Sequence, residues 1–239
     1  MRRSSRIVAA IAALLIAIAA GASLARSASE NPPCNPNRPA TPELAIKALL
    51  DGNGRWASGK QNHPGEDAER RSCLFKNGQT PFAAILSCSD SRVPPDLVFD
   101  AGPGDLFIAR VAGNSSDDLV IQSLEYAVEH LHAEAVLVLG HQECGAVKAA
   151  AESYPKSAPF FVSAIYRAVA KAKEIIKRRG GDPNDKAAVA REAIDQHVIL
   201  EVQKLRGRQP FKQLVESGKL KIVGGRYDLD TGQVKMLME

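Results

Sequence analysis

The chain has little that would tie it to nucleic acid or to a membrane. Aromatic residues make up 5% of its 239 positions, with a single Trp. No Lys/Arg-rich run with interleaved aromatics occurs, so the stacking platforms and basic grooves of nucleic-acid binders are missing. The formal net charge is +4. Without Arg2, Arg3 and Arg6 of the leader-like N-terminus about +1 remains, too little to imply an acidic partner. The longest apolar run, Ile7 to Ala20, falls short of the ~20 residues a membrane span needs. There are four cysteines and no Cys-x-x-Cys pair, so the usual mark of a thiol-redox protein is absent. Gly102-Pro103-Gly104 is followed by no Lys-Ser/Thr and reads as a plain turn, not a phosphate cradle. No internal repeat is visible.

What remains is a chain with 45% hydrophobic and 24% charged residues, enough for one globular α/β domain with a full core. Residues 1–25 read as a secretory signal. Three arginines precede the apolar run, and Ser23-Leu24-Ala25 offers a small-x-small cleavage site. The expected product is soluble and exported, periplasmic or secreted, with no stable membrane span after signal removal. Residues 26–40, rich in Pro and Asn, read as an extended arm, and residues 41–239 as the folded domain.

Two stretches carry chemistry. Phe82 to Leu86 is a short apolar run of the kind that forms a buried parallel strand, and it empties into Cys88-Ser89-Asp90-Ser91-Arg92. Val136 to Leu139 does the same and empties into Gly140-His141-Gln142-Glu143-Cys144-Gly145. Ligands of open α/β sheets sit where strands end on their carboxyl side. Two Cys and one His from two such ends make a soft tetrahedral set suited to zinc, with the fourth position left to Asp90 or to water. Arg92 is placed to hold Asp90. That leaves Cys34 and Cys73, which either pair in an oxidising compartment or stay separate thiols.

Around these stretches the patterning predicts helices and turns. Thr41-Pro42-Glu43 opens a helix with Leu44, Ala48, Leu49 and Trp56 on one face. His63 and the run Glu69, Arg70, Arg71 read as solvated. Leu106 to Val111 is a strand, and Ser115 or Ser116 caps a helix through Leu131. A helix starts at Gly145, where its N-terminal amides could donate to a bound anion. Pro159 to Arg179 reads as one long amphipathic helix. Asn184 caps another, on which His197 is structural rather than a ligand. Lys219 to Tyr227 and Gln233 to Met238 alternate around Asp230-Thr231-Gly232 as a terminal hairpin. The expected fold is a single α/β domain with a mainly parallel central sheet flanked by helices and a C-terminal hairpin strand at one edge.

Cys-Ser-Asp-Ser-Arg at 88–92 with His-x-x-Cys at 141–144 resembles the β-class carbonic anhydrases, and the resemblance covers roughly Pro42 to Met238. It implies that Cys88, His141 and Cys144 bind one zinc ion per chain and that Asp90 and Arg92 form a catalytic dyad, with Asp90 a fourth ligand in a closed state. Gln79, Phe107, Tyr126 and Gly145 stand where the plant-type subclass has its pocket residues. There Gln79 and the Gly145 amide would donate to a substrate oxygen, and Phe107 and Tyr126 would line an apolar slot. The implied reaction is reversible hydration of CO2 to bicarbonate by zinc-bound hydroxide, in a homodimer or higher homo-oligomer whose pocket is shared between subunits. One departure is Ala112-Gly113-Asn114, where many members carry an Asn-rich variant. The rival readings are hydrolysis of CS2 or COS on the same scaffold, and a non-catalytic zinc-binding protein that would leave Asp90 and Arg92 without work.

Overall fold

The computed structural model describes residues 33–154 and 158–239; the expected signal segment lies outside them. Five strands form one sheet: β1 (Ala83–Ser87), β2 (Leu106–Arg110), β3 (Ala135–His141), β4 (Lys221–Tyr227) and β5 (Val234–Met238). Their order is β2-β1-β3-β4-β5. The first four run parallel and β5 pairs antiparallel with β4, the expected hairpin. Because β2 lies on one side of β1 and β3 on the other, the order reverses at the β1–β3 boundary. That is the place where such sheets open a crevice at their carboxyl ends.

Every residue of β1 and β3 is buried, as expected of strands covered on both faces. Alternation divides their side chains. Ala84, Leu86, Val136 and Val138 face one core, with Val120, Leu124, Val198 and Val202. Ala83, Ile85, Leu137 and Leu139 face another, with Ala45, Leu49 and Phe99. A third cluster sits beyond the strand ends, where Cys88 and Cys144 pack with Val147, Ile165, Val169 and Ala190.

Helix α1 (Pro42–Ala57) starts as expected, with Thr41 Oγ1 accepting from the Leu44 amide. Its buried residues include Ala45, Leu49, Gly52 and Asn53, with Ala48 and Trp56 of the expected face packed beside them; Leu44, also expected there, is half exposed. Helix α2 (Ala68–Asn77) occupies the stretch read as a solvated charge run. Arg70 is not solvated: its guanidinium lies 3.1 Å from the Asp105 carboxylate, both side chains largely buried. A single turn, α3 (Pro95–Val98), follows the Cys88 loop.

Helix α4 (Asp118–Glu129) is capped by Asp117, not Ser115 or Ser116, because Ser116 is spent on the buried Glu201 carboxylate. After α5 (Gly145–Ser153), the expected single helix over 159–179 is two, α6 (Phe160–Ser163) and α7 (Tyr166–Arg178). Ile165 fills the core at the break, while Phe160 stays exposed. The long α8 (Lys186–Arg206) is capped by Asp185 rather than Asn184, and α9 (Phe211–Glu216) leads into β4. Among the described residues no helix is long and apolar enough to cross a membrane. Cys34 and Cys73 form a disulfide with Cα atoms 5.8 Å apart, which decides between the two alternatives the sequence left open.

Candidate metal centre

The ends of β1 and β3 bring Cys88, His141 and Cys144 together. Two sulfurs and a ring nitrogen lie within 4.8 Å of one another. The three residues are 6%, 0% and 1% exposed. His141 is the last residue of β3, and Cys144 stands at the N-terminal cap of α5, reached through Glu143 in the left-handed region (φ 56°). That left-handed residue turns the chain tightly enough for both ligands to face the same point.

The His141 ring is oriented by the backbone. Its Nδ1 lies 2.7 Å from the Gln142 carbonyl oxygen. A carbonyl only accepts, so Nδ1 carries the proton and Nε2 presents its lone pair. Nε2 is fully buried and has no hydrogen-bond partner among the described residues. A buried acceptor of this kind costs free energy unless something satisfies it, and a cation between Nε2 and the two sulfurs would.

The cysteines are poised as a pair. A hydrogen bond from Cys144, with one from the Gly113 amide, holds the Cys88 thiol far below its ordinary range against the opposing effect of burial. The same hydrogen bond, with burial, pushes Cys144 upward. Two sulfurs and an imidazole nitrogen this close together are a soft donor set for a cation. The Gly113 amide donates to Cys88 Sγ at 3.3 Å. Gly113 sits at φ 72°, and a side chain there would collide with Ile165 at 2.8 Å, so the departure at 112–114 builds this contact instead of disturbing it. From behind, His197 Nε2 lies 2.9 Å from the Gly113 carbonyl oxygen, the structural role expected of it.

Asp90 is turned toward Arg92. Nε and Nη2 of the guanidinium donate to the two carboxylate oxygens at 2.9 and 2.7 Å, and the Arg92 amide adds a third bond at 3.0 Å. This bidentate geometry is the strong form of the pair. Chiefly through the Arg92 side chain, it holds Asp90 well below the usual carboxylate range. Asp90 Oδ2 remains 3.8 Å from His141 Nε2, beside the donor cluster. Arg92 also reaches the Glu143 carbonyl at 3.4 Å and so joins the two motif loops. Sequence reading missed Arg110, whose guanidinium donates to the carbonyls of Cys88 (3.0 Å) and Asp90 (2.7 Å) and pins that loop. Its place at the last position of β2, level with Ser87, was the available signal.

The remaining candidates are not all here. Gly145 opens α5 next to Cys144, with open space where a side chain would stand. Phe107, by contrast, pairs with Ala84, four positions before Cys88, which is roughly 13 Å along a strand. Tyr126 packs against it with ring centroids 6.0 Å apart, and Gln79 lies exposed ahead of β1. All three lie toward the amino edge of the sheet, away from this chain's Cys88, His141 and Cys144. His63 is exposed and pairs with Glu66 at 3.4 Å. A cavity of about 350 Å³ lies on the outer side of Glu143, lined by Lys148, Lys186 and Arg191 among others, and none of the three donors lines it.

Comparison with known proteins agrees with this geometry. The carbonic anhydrase family model matches residues 83–234. Carbonic anhydrase 2 of Mycobacterium tuberculosis is 36% identical over 195 residues, covering 80% of this chain and 91% of that protein. The carbonic anhydrase of Mycolicibacterium smegmatis is 36% identical over 198 residues, covering 82% and 93%. Among solved structures, the Coccomyxa β-carbonic anhydrase in complex with acetazolamide superposes with a TM-score of 0.61 at 29% identity, covering 81% of this chain and 86% of that one. The sheet reversal, the Cys–His–Cys cluster and these likenesses converge: the chain belongs to the β-carbonic anhydrase family.

Proposed function

We propose that this protein catalyses the reversible hydration of CO2 to bicarbonate and a proton, with Cys88, His141 and Cys144 holding one zinc ion per chain and Asp90 and Arg92 acting as the dyad. The observation that carries the reading is the buried, partnerless His141 Nε2 facing two sulfurs, with an ionised Asp90 alongside. Zinc held by this set supplies Lewis acidity, which makes water a usable nucleophile near neutral pH. Asp90, held off the donor cluster by Arg92, accepts a hydrogen bond from the attacking water and aims its lone pair at the CO2 carbon. One C–O bond forms, one proton leaves to solvent, and bicarbonate departs. The Gly145 amide at the start of α5 donates to the oxygen that gains charge.

The apolar wall and the second donor come from another copy of the chain. Gln79, Phe107 and Tyr126 sit at the wrong end of the sheet to serve their own Cys88, so a site that uses them needs a partner subunit. The reading is therefore a homodimer at least. The segment 1–25 and the Cys34–Cys73 disulfide both favour an exported, periplasmic protein, since disulfides persist in oxidising compartments.

The test combines metal content, CO2 hydration with and without chelator, and sedimentation of the purified mature protein. Stoichiometric zinc, chelator-sensitive hydration and a dimer are expected. An active monomer would sink the shared pocket, and a zinc-loaded dimer inert toward CO2 would sink the reaction.

A further inference from the structure

The arm that precedes the domain is not a loose linker. Its segment Cys34–Arg38 touches the leading ends of three adjacent strands. At β2, Asn35 Nδ2 donates to Asp105 Oδ1 at 2.8 Å, immediately before Leu106 and Phe107. At β1, Arg38 Nε donates to the Thr80 carbonyl at 2.9 Å and Nη2 to the Pro81 carbonyl at 3.3 Å. At β3, Arg38 Nη2 donates to the His132 carbonyl at 2.7 Å, and Nη1 lies 3.5 Å from the buried Glu134 carboxylate. The disulfide fixes the far end of the segment to α2, whose C-terminus leads through Gly78 directly to Gln79.

Each anchored point adjoins a member of the proposed pocket wall. Thr80 follows Gln79. Asp105 is two residues before Phe107. His132, at φ 58°, closes the turn after α4, the helix that carries Tyr126. A planar guanidinium that donates to carbonyls of both the Gln79 segment and the α4 turn fixes their separation, which an ammonium on a flexible stem cannot do.

We infer that Cys34–Arg38 is a strap and that Arg38 is a positioning residue for the Gln79–Phe107–Tyr126 wall, which the dimer presents to the partner's metal centre. The inference rests on the proposed role of that wall. Arg38 touches no substrate; it sets the spacing of the groups that do.

The test uses the full mature, zinc-loaded dimer and three variants: Arg38→Lys, Gln79→Ala and the two combined. Gln79→Ala alone tests the wall, and an unchanged kcat/KM for CO2 in that variant overturns both the wall and the strap. If Gln79→Ala lowers kcat/KM, Arg38→Lys should lower it by roughly tenfold to a hundredfold, the order of effect expected of misplacement by about 1 Å. It should show the same division between kcat and KM, and the double variant should lose less than the product of the two single losses, because Arg38 acts partly through Gln79. Multiplicative losses, or no loss in Arg38→Lys, overturn the strap and leave the wall standing.

Backbone hydrogen exchange gives a readout apart from activity. The Phe82 and Glu134 amides, which bond to Asp105 and Phe82 carbonyls, should exchange faster in Arg38→Lys while those of β1 and β3 interiors hold. Global loosening, or loss of the dimer by sedimentation, would assign Arg38 to stability or assembly and overturn a positioning role. The Cys34→Ser/Cys73→Ser variant guards against a side-chain artefact. It should reproduce the Arg38→Lys exchange pattern at the same edge, and protection unchanged from the parent there would overturn the strap.

Discussion

The two ends of the central sheet are built on opposite terms. At the amino end, buried charges are saturated with partners. Asp105 accepts from Asn35, Arg70 and the Gly102 amide, and Glu134 faces Arg38. At the carboxyl end, buried polar atoms are left without them: Ser87 Oγ, Asn114 Nδ2, His141 Nε2 and Arg226 Nε. The first end stores stability, since an ion pair that has both partners tolerates burial. The second end gives some of it up, and His141 Nε2 shows why. A lone pair withheld from the protein is available to a metal. On the proposed reading, the end that binds and the end that shapes the pocket are different ends of one chain, and association of two chains would join them.

The sharpest way to break this comparison is at the carboxyl end. Cys144→Ser should empty the metal site and drop CO2 hydration to the uncatalysed background, because a hydroxyl is a poor substitute for a soft thiolate. Fold and dimer should survive. Metal analysis and circular dichroism on one sample check both halves. Stoichiometric zinc in that variant would overturn the ligand assignment.

Arg92→Ala should cost less and in a different way. Zinc should stay bound, while Asp90 loses the bidentate partner that keeps it off the donor cluster 3.8 Å away. Turnover should fall about a hundredfold, the order for a mispositioned acid–base group. Near-normal turnover in a fully metallated variant would reduce Asp90 and Arg92 to a structural pair.

At the amino end the corresponding change is Arg70→Ala, which should separate stability from chemistry. It leaves Asp105, whose side chain is 4% exposed, with the neutral donors Asn35 and Gly102 but without its guanidinium partner, a loss of about 3 kcal/mol. Zinc content and kcat should stay near those of the parent. Denaturant midpoints together with turnover measure both, and a loss of zinc would show that the two ends are not separable.

These contrasts also explain what could be read from the sequence. The Cys88–His141–Cys144 cluster and the Asp90–Arg92 pair were legible because each motif directly continues a buried strand, so strand ends and the residues gathered there are announced together. Helix α2 was not, since it sends no apolar residue into the core and carries no apolar period. What holds it is Arg70 to Asp105 and Cys73 to Cys34, contacts 35 and 39 residues apart in sequence. Arg38 and Arg110 were missed for the same reason: their partners are backbone carbonyls, and every residue type offers one. On α1 only Leu44 departs from the expected face, an apolar residue that this chain leaves half exposed while Ala48, Leu49 and Trp56 pack on the core. The break between α6 and α7 was hidden because Ile165 keeps the apolar period while sitting at the cap.

The smallest expected effect lies on His197, behind the metal end. Burial is the leading cause that lowers its pKa; Glu201 and the Gly113 carbonyl oppose it, and Lys204 reinforces it. The fold therefore prefers the neutral ring, whose Nε2–H donates to the Gly113 oxygen. The unfolded chain binds the proton more readily, with an ordinary pKa near 6.5. Stability from this group is thus fully present above that value and is lost as pH falls from there toward the lowered folded value. His197→Gln keeps a donor for Gly113 and removes the titration. Its unfolding free energy should fall less steeply than the parent's below about pH 6.5, while the two curves should run parallel above it. Denaturant unfolding across this range, with both proteins zinc-loaded, isolates the difference because every other titrating group is common to both. Parallel curves throughout would mean that the fold accommodates a second proton on His197 at no cost, with its Nε2–H still donating to Gly113.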